Sequence, residues 1–355
     1  MNKELKLPIK VIGTMSGTSL DGLDIAAVEF DYKNEKWSFN LLSATTVSYS
    51  EKWLKKLKNA PSLSGEKLIE LHSEYGSFTG ANINEFISNT GFKPNLIASH
   101  GHTIFHQPEK HFTLQIGNGA EIAAVTKTTT IADFRIGDIA LGGQGAPLVP
   151  VGDKLLFNDF DYCLNLGGFA NISFEKNGKR IAFDISPANF PLNFYAEKQG
   201  LLFDKNGELG KQGKLNIKLL SELNSLGFYK QNPPKSLGRE WMEQVFYPVL
   251  TKYKISDSDI MRTIYEHIAI QIAKTSSGKG KILITGGGAF NTFLIERIKF
   301  HSLLEVVIPE QKIVNYKEAL IFAFLGVLRI QNKINCYSSV TGASKDSSVG
   351  VIFKY

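Results

Sequence analysis

The chain has 355 residues, with 40 basic and 34 acidic side chains, a net charge of +6, 43% hydrophobic and 21% charged residues. That length exceeds what one hydrophobic core usually fills, so two lobes are expected, and the composition is that of a globular protein rather than a disordered or fibrous one. No apolar run approaches bilayer length, and the lysines, clustered only mildly in EKWLKKLK and GKGK, give no basic stripe that would call for nucleic acid. The opening MNKELKLPIK has charges but no apolar stretch behind them, so no signal peptide is read and a cytoplasmic location is expected. Cys163 and Cys336 sit in no C-x-x-C spacing and are expected to be reduced and buried.

Taken in chain order, residues 8–15 read as a buried strand and 23–30 as its partner, with 37–49 a third strand rich in β-branched and aromatic residues. Residues 51–73 carry apolar positions at helical spacing, broken by a turn at Pro61–Gly65. Short strands follow at 95–100 and 112–117, a helix at 119–127 and a strand at 128–135. GDIALGGQGAPLVPVGD (137–153) has glycines and prolines that break regular structure and is read as the crossing between lobes. Beyond it, 162–174 and 179–185 repeat the opening pattern of strand, glycine turn and strand. Helices are expected near 189–200, 213–225, 240–252 and 257–275. KILITGGGAFN (281–291) reads as a strand entering a glycine turn, LEVVIP as a late strand, and 316–331 as a buried apolar helix. Strands alternating with helices give an α/β class.

Common phosphate loops fail on spacing. Gly278–Lys279 lacks the preceding glycine of a P-loop, GGGAFN lacks the third glycine of a dinucleotide fingerprint, and Gly13-Thr-Met-Ser-Gly is not a G-x-S-x-G elbow. What remains at 16–24 is a bend between two strands, rich in small hydroxyl residues, glycine and aspartate. Converging amides there can bind phosphate oxygens, with a divalent cation between phosphate and Asp21 or Asp24. A tight structural turn would give the same pattern.

Two such bends, one in each half, with a GGG turn before a helix, resemble the layout of the actin-like sugar-kinase and heat-shock ATPase superfamily. The resemblance sharpens along nearly the whole chain. MSGTSLDGLD (15–24), ASHGHTIFHQP (98–108), LQIGNGAEIA (114–123), IADFRIGDIALGGQGAPLVP (131–150), LNLGGFANISF (164–174), PPKSLGRE (233–240), ITGGGAFN (284–291), KEALIFAFLG (317–326) and VTGAS (340–344) are similar to the motifs of the anhydro-N-acetylmuramic acid kinase family. The resemblance implies a two-lobed actin-like ATPase fold of duplicated ribonuclease-H-like domains with an interlobe active-site cleft. The lobes would be 1–132, with the C-terminal segment joining it, and 133–355. It also implies ATP and Mg²⁺, an amino-sugar substrate phosphorylated at O6 while water opens the anhydro ring, a role in peptidoglycan recycling, and a homodimer.

The same resemblance implies roles residue by residue. Asp184 is the catalytic base, at the end of the strand RIAFDI; a strand-end or helix-capping carboxylate is the plainer reading of the residues alone. Gly17, Thr18, Ser19, Leu20, Asp21, Gly22, Leu23 and Asp24 line the ATP phosphates, Gly167, Gly168 and Asn171 form a second clamp, and Gly286, Gly287 and Gly288 abut adenosine. Strand-to-helix packing explains the GGG turn equally well. His100, Asp133, Arg135 and Asn189 are the substrate-side candidates, Arg135 because its fork suits oxyanions. A salt-bridge set within DFRIGD, joining Asp133, Arg135 and Asp138, would read the same way. Asp21 and Glu318 are the metal-side candidates. Two departures stand out: the family's D-T-G-P-G-N is DISPAN here, with Ser186 and Ala188 for glycines, and its usual glutamine in H-G-Q-T is His102.

The same residues allow three rival readings. His100, His102 and His106 are spaced by even numbers, so an extended strand would set them on one face as zinc ligands of a hydrolase. The DISPAN change leaves room for a nucleotide-binding sensor without turnover, or for a kinase of another amino sugar.

Overall fold

The computed structural model describes residues 7–276 and 280–355. The opening MNKELK and the Gly278–Lys279 part of GKGK lie outside the described residues. The chain divides into two compact units, Met1–Leu156 with Tyr316–Tyr355, and Phe157–Asn315.

The first unit opens with an antiparallel meander of β1 (Ile9–Ser16), β2 (Leu23–Lys33) and β3 (Lys36–Val47). Helices α1 (Glu51–Asn59) and α2 (Gly65–Thr90) follow; Ser64 caps the second, its Oγ accepting from Lys67 N, and Gly91 at φ 67° ends it. Next come β4 (Leu96–Gln107), β5 (Phe112–Ile116), α3 (Gly119–Thr126) and β6 (Thr130–Ala132). β4 lies parallel to β1, and β6 parallel to β4; Val351–Phe353 adds an antiparallel edge to β6. Both faces of this sheet are covered, so its strands read as continuous apolar runs. On β2, Ala26, Val28 and Phe30 join one core with the helix Gln311–Ile330, while Leu23, Ile25 and Ala27 join the other with Leu71, Tyr75 and Ile83 of α2.

In the second unit β7 (Tyr162–Leu166), β8 (Phe169–Lys176) and β9 (Lys179–Pro187) form another antiparallel meander, with β10 (Lys281–Thr285) parallel to β7 and β11 (Glu305–Val307) parallel to β10. Its order, β11-β10-β7-β8-β9, repeats β6-β4-β1-β2-β3 of the first unit. The internal echo of the sequence is thus a duplicated ribonuclease-H-like topology in an α/β protein. The helix Asp257–Thr275 supplies Ile260, Met261, Ile264, Ile268 and Ile272 to the core that holds Leu164, Leu166 and Ile172. No helix of the described residues is long and apolar enough to cross a membrane.

Two readings of the sequence need correction. The first unit runs to Leu156, not to residue 132, before the segment from Tyr316 rejoins it. The glycine-rich stretch therefore folds inside that unit as α4 (Ile136–Ala140) and α5 (Val149–Leu156) with the loop between them. A wholly buried carboxylate holds it there: Asp138 accepts from Gly145 N at 2.7 Å, Thr341 Oγ1 at 2.7 Å and Cys336 Sγ at 3.0 Å. The strand at 128–135 is also shorter than expected, because Asp133 takes φ 56° and ends it.

Candidate active site

The first bend joins β1 to β2. Gly22 is fixed by φ 155° and by β3, since a Cβ there would meet Thr46 Cγ2 at 2.6 Å and Val47 O at 2.7 Å. Gly17 is different: an added Cβ would meet only Ser19, its Oγ at 3.1 Å and its backbone N at 3.9 Å. The fold does not demand a glycine at 17, so the absent side chain is explained by keeping its surroundings open. Thr18, Ser19 and Asp21 are exposed, and Ser19 Oγ donates to Asp21 Oδ1 at 2.7 Å. Asp24 is held by Thr46 Oγ1 at 2.6 Å; burial raises its carboxyl and the Thr46 bond partly offsets that.

Arg135 lies in the same unit. Its Nε donates to His100 Nε2 at 2.9 Å and its Nη1 to the Gly145 carbonyl at 2.7 Å, leaving Nη2 without a protein partner among the described residues. Burial lowers its pKa to about 10, which still leaves it protonated at neutral pH. Asp133 and Asp138 do not pair with it, so DFRIGD is not a salt-bridge set: Asp138 faces inward, and half-buried Asp133 has its carboxyl raised by burial, with His72 nearby pulling it down. Glu318 has open surface but is crowded by protein, which raises its carboxyl; Arg135 lowers it, while Asp24 and Asp21 raise it. Asp21 and Asp24 thus act on Glu318 as like charges, although the three side chains are not grouped as a metal site.

In the second unit, the bend Gly167–Gly168 serves two purposes. Its carbonyls cap α6 (Asn189–Glu197): Gly167 O accepts from Asn189 N, and Gly168 O from Ala188 N and Phe190 N. Gly168 also makes room for the Phe190 ring, which an added Cβ would meet at 2.3 Å. Asn171 is exposed beside it on β8.

Asp184 stands on β9 at a bulge. Ala170 pairs with Ser186 and Asn171 with Asp184, so Ile185 is the extra residue, and it turns into the core. A bulge re-aims the neighbouring side chain and occurs often beside active sites. Asp184 Oδ2 accepts from Leu237 N at 2.8 Å, and its backbone N donates to Lys235 O at 3.1 Å. The other carboxylate oxygen has no protein partner among the described residues. Burial raises this carboxyl above the usual range, and the Leu237 amide partly restrains it. The PPKSLGRE motif, to which its residues alone assign no role, is the brace of Asp184.

Gly286, at φ 80°, and Gly288 are packing glycines: added Cβ atoms would meet Asn165 Oδ1 at 2.6 Å and Leu166 Cβ at 2.7 Å. Gly287 has only Asn189 Nδ2 at 3.9 Å and faces open space. Asn189 ties this turn to the bend, its Nδ2 donating to Leu166 O at 3.1 Å and leaving Oδ1 open.

The histidines do not form a ligand triad. β4 gains a residue against β1 between the pairs Thr14–Ser99 and Ser16–His102, Gly101 takes φ 77°, and the register with β5 slips again after Thr103. Alternation is broken twice. His100 and His102 are buried, whereas His106 is exposed with Nδ1 on Thr113 Oγ1. Among the described residues no three His, Cys, Asp or Glu side chains are grouped to hold a metal.

Comparison with known proteins shows the family. The profile of the family described as anhydro-N-acetylmuramic acid kinase matches residues 9–355. Proteins bearing that name from Mannheimia succiniciproducens and Vibrio cholerae are 36% and 34% identical, each match covering 96% of this chain and 98% and 97% of the relative. A third, from Saccharophagus degradans, is 33% identical over 98% of this chain and 99% of its own. With a match running end to end through both bends, the Asp184 strand and the VTGAS segment that holds Asp138, the chain belongs to the anhydro-N-acetylmuramic acid kinase family.

Proposed function

We propose that the enzyme transfers the γ-phosphoryl group of ATP to O6 of 1,6-anhydro-N-acetylmuramic acid while water opens the anhydro bridge, giving N-acetylmuramic acid 6-phosphate. The water oxygen bonds to C1, the C1–O6 bond breaks, O6 bonds to phosphorus, and ADP leaves with the former bridging oxygen. The water's proton goes to Asp184. The observation that carries this reading is the Asp184 carboxylate itself: one oxygen is anchored by Leu237 N, the other is free, and burial raises its basicity toward neutral pH.

The first unit supplies the amides and hydroxyls of Gly17–Asp24 for the nucleotide phosphates, and Asp21 and Glu318 would hold Mg²⁺, whose chemistry is to neutralise charge on the transferred phosphoryl group. The second supplies Gly167, Gly168 and Asn171 for phosphate and Gly286–Gly288 for adenosine. Arg135 offers its free Nη2 to an oxyanion of the sugar or phosphate, and Asp133 is a further substrate-side group of the same unit. His100 has both ring nitrogens engaged and serves by positioning Arg135; Asn189 orients the sugar or water through Oδ1. A cytoplasmic homodimer completes the proposal.

The test is ATP with the anhydro-sugar in oxygen-labelled water. A 6-phosphosugar carrying label at C1 is expected; no phosphosugar, or one without label, overturns the reading.

A further inference from the structure

β4 carries two buried histidines two residues apart, and the protein fixes them in opposite tautomers. His100 Nε2 accepts from the Arg135 guanidinium, which can only donate, so its proton sits on Nδ1 and goes to the Gly101 carbonyl at 3.0 Å. Both nitrogens are consumed inside the protein.

His102 is set by a chain of hydroxyls. Its Nδ1 lies 2.8 Å from Ser16 Oγ, Ser16 Oγ 2.7 Å from Tyr49 Oη, and Tyr49 Oη 2.5 Å from Tyr75 Oη. Tyr75 is wholly buried and has no acceptor beyond this chain among the described residues. If the protons ran outward from the histidine, the last one could only turn back on Ser16 Oγ, to which no well-formed hydrogen bond joins Tyr75, at a cost of up to about 1–3 kcal/mol. Run inward, each proton has an acceptor: Tyr75 donates to Tyr49, Tyr49 to Ser16 and Ser16 to His102 Nδ1. The ring proton of His102 is therefore on Nε2. That nitrogen has no protein partner among the described residues, yet it is not one of the sealed polar atoms.

We infer that His102 is a specificity-determining residue, whose Nε2–H donates to an uncharged acceptor oxygen of the bound sugar. The inference rests on the kinase reading above. Burial keeps the ring neutral, lowering its pKa to about 4. A neutral lone donor suits an ether, hydroxyl or carbonyl oxygen, whereas the amides of the bend suit phosphate. A glutamine at this position could present either a donor or an acceptor by turning its amide; the locked histidine presents only a donor. Since Ser16 directly precedes Gly17, the same chain of hydroxyls ties the phosphate bend to the ring that reads the sugar.

Nitrogen-15 NMR of the imidazoles in the ligand-free protein at neutral pH tests the tautomer without any turnover. His102 is expected as Nε2–H, becoming a mixture in Ser16→Ala; an Nδ1–H or doubly protonated ring in the wild type overturns the inference. Titrating the anhydro-sugar into wild-type protein should move the His102 Nε2 resonance, and no movement overturns it. His102→Leu should raise the sugar KM about tenfold, with ATP KM unchanged, and His102→Gln should largely restore it. An unchanged sugar KM in the leucine variant overturns the donor role. Should the wild type phosphorylate no anhydro-sugar, the proposed function fails while the tautomer result still stands.

Discussion

The two bends share a topology but not a use of glycine. In the first unit Gly17 has nothing but a flexible serine hydroxyl near where a Cβ would go; in the second, Gly168 lies under an aromatic ring at 2.3 Å from that position. The second bend also spends its carbonyls on α6, which the first does not. Duplication of a sheet therefore preserves the strand order while each copy assigns its turn separately, one left open and one partly given to local packing. This contrast also tells apart glycines that the fold requires from glycines that it does not, which spacing alone cannot do.

The largest effect belongs to the second unit's carboxylate. Asp184→Asn should fold with unchanged thermal stability and lose roughly 100- to 10,000-fold in kcat, the usual share of general base catalysis. Leu237 N can still donate to the amide oxygen, so the brace survives. Turnover within a few-fold of wild type would remove Asp184 from the chemistry.

Acid should unsettle both units through buried neutral histidines. His102 is held at about 4 in the first unit and His267 at about 3 in the second, each by burial. The unfolded chain takes up these protons near pH 6.5, the folded chain only lower. Stability is thus complete above pH 6.5 and falls as the pH drops toward 4. For His102 a shift from 6.5 to about 4 corresponds to about 3 kcal/mol. Denaturant midpoints measured from pH 7 to 4.5 should decline less steeply for His102→Gln than for wild type; parallel slopes would contradict a neutral buried ring.

Gly168→Ala should cost about 1–3 kcal/mol from overpacking against Phe190, and Phe190→Ala in the same chain should recover much of it. Gly17→Ala should change stability by less than about 1 kcal/mol, since a flexible hydroxyl can yield, while raising ATP KM several-fold. Equal destabilisation by both substitutions would erase the contrast between the bends.

The strands were legible because both faces of each sheet are buried and the runs are unbroken, as in VIGTM and YCLNL. The unit boundary was not, because its cause is remote: Asp138 meets Thr341 and Cys336 across some 200 positions of sequence, and no local pattern announces that. Asp184 was legible as a residue but not as a geometry, since nothing in RIAFDI shows that Ile185 is bulged. The even spacing of the histidines misled for a related reason, the extra residue and left-handed Gly101 in β4. Tyr49 and Tyr75 carried no signal at all; they matter only because a helix and a strand end bring their hydroxyls to Ser16.

The smallest effect sharpens the comparison within one turn. Gly286, Gly287 and Gly288 are identical in sequence, but only Gly287 has free space around its missing side chain. Gly287→Ala should shift stability by less than about 0.5 kcal/mol, as surface changes away from packing usually do. Gly288→Ala, against Leu166 and Asn189, should cost more. If adenosine lies against this turn, the methyl at 287 enters its space and weakens nucleotide binding without weakening the fold. Isothermal titration of each variant with a non-hydrolysable ATP analogue, beside thermal melts, measures both quantities. Wild-type affinity in Gly287→Ala would place the adenosine elsewhere and leave all three glycines to strand-to-helix packing.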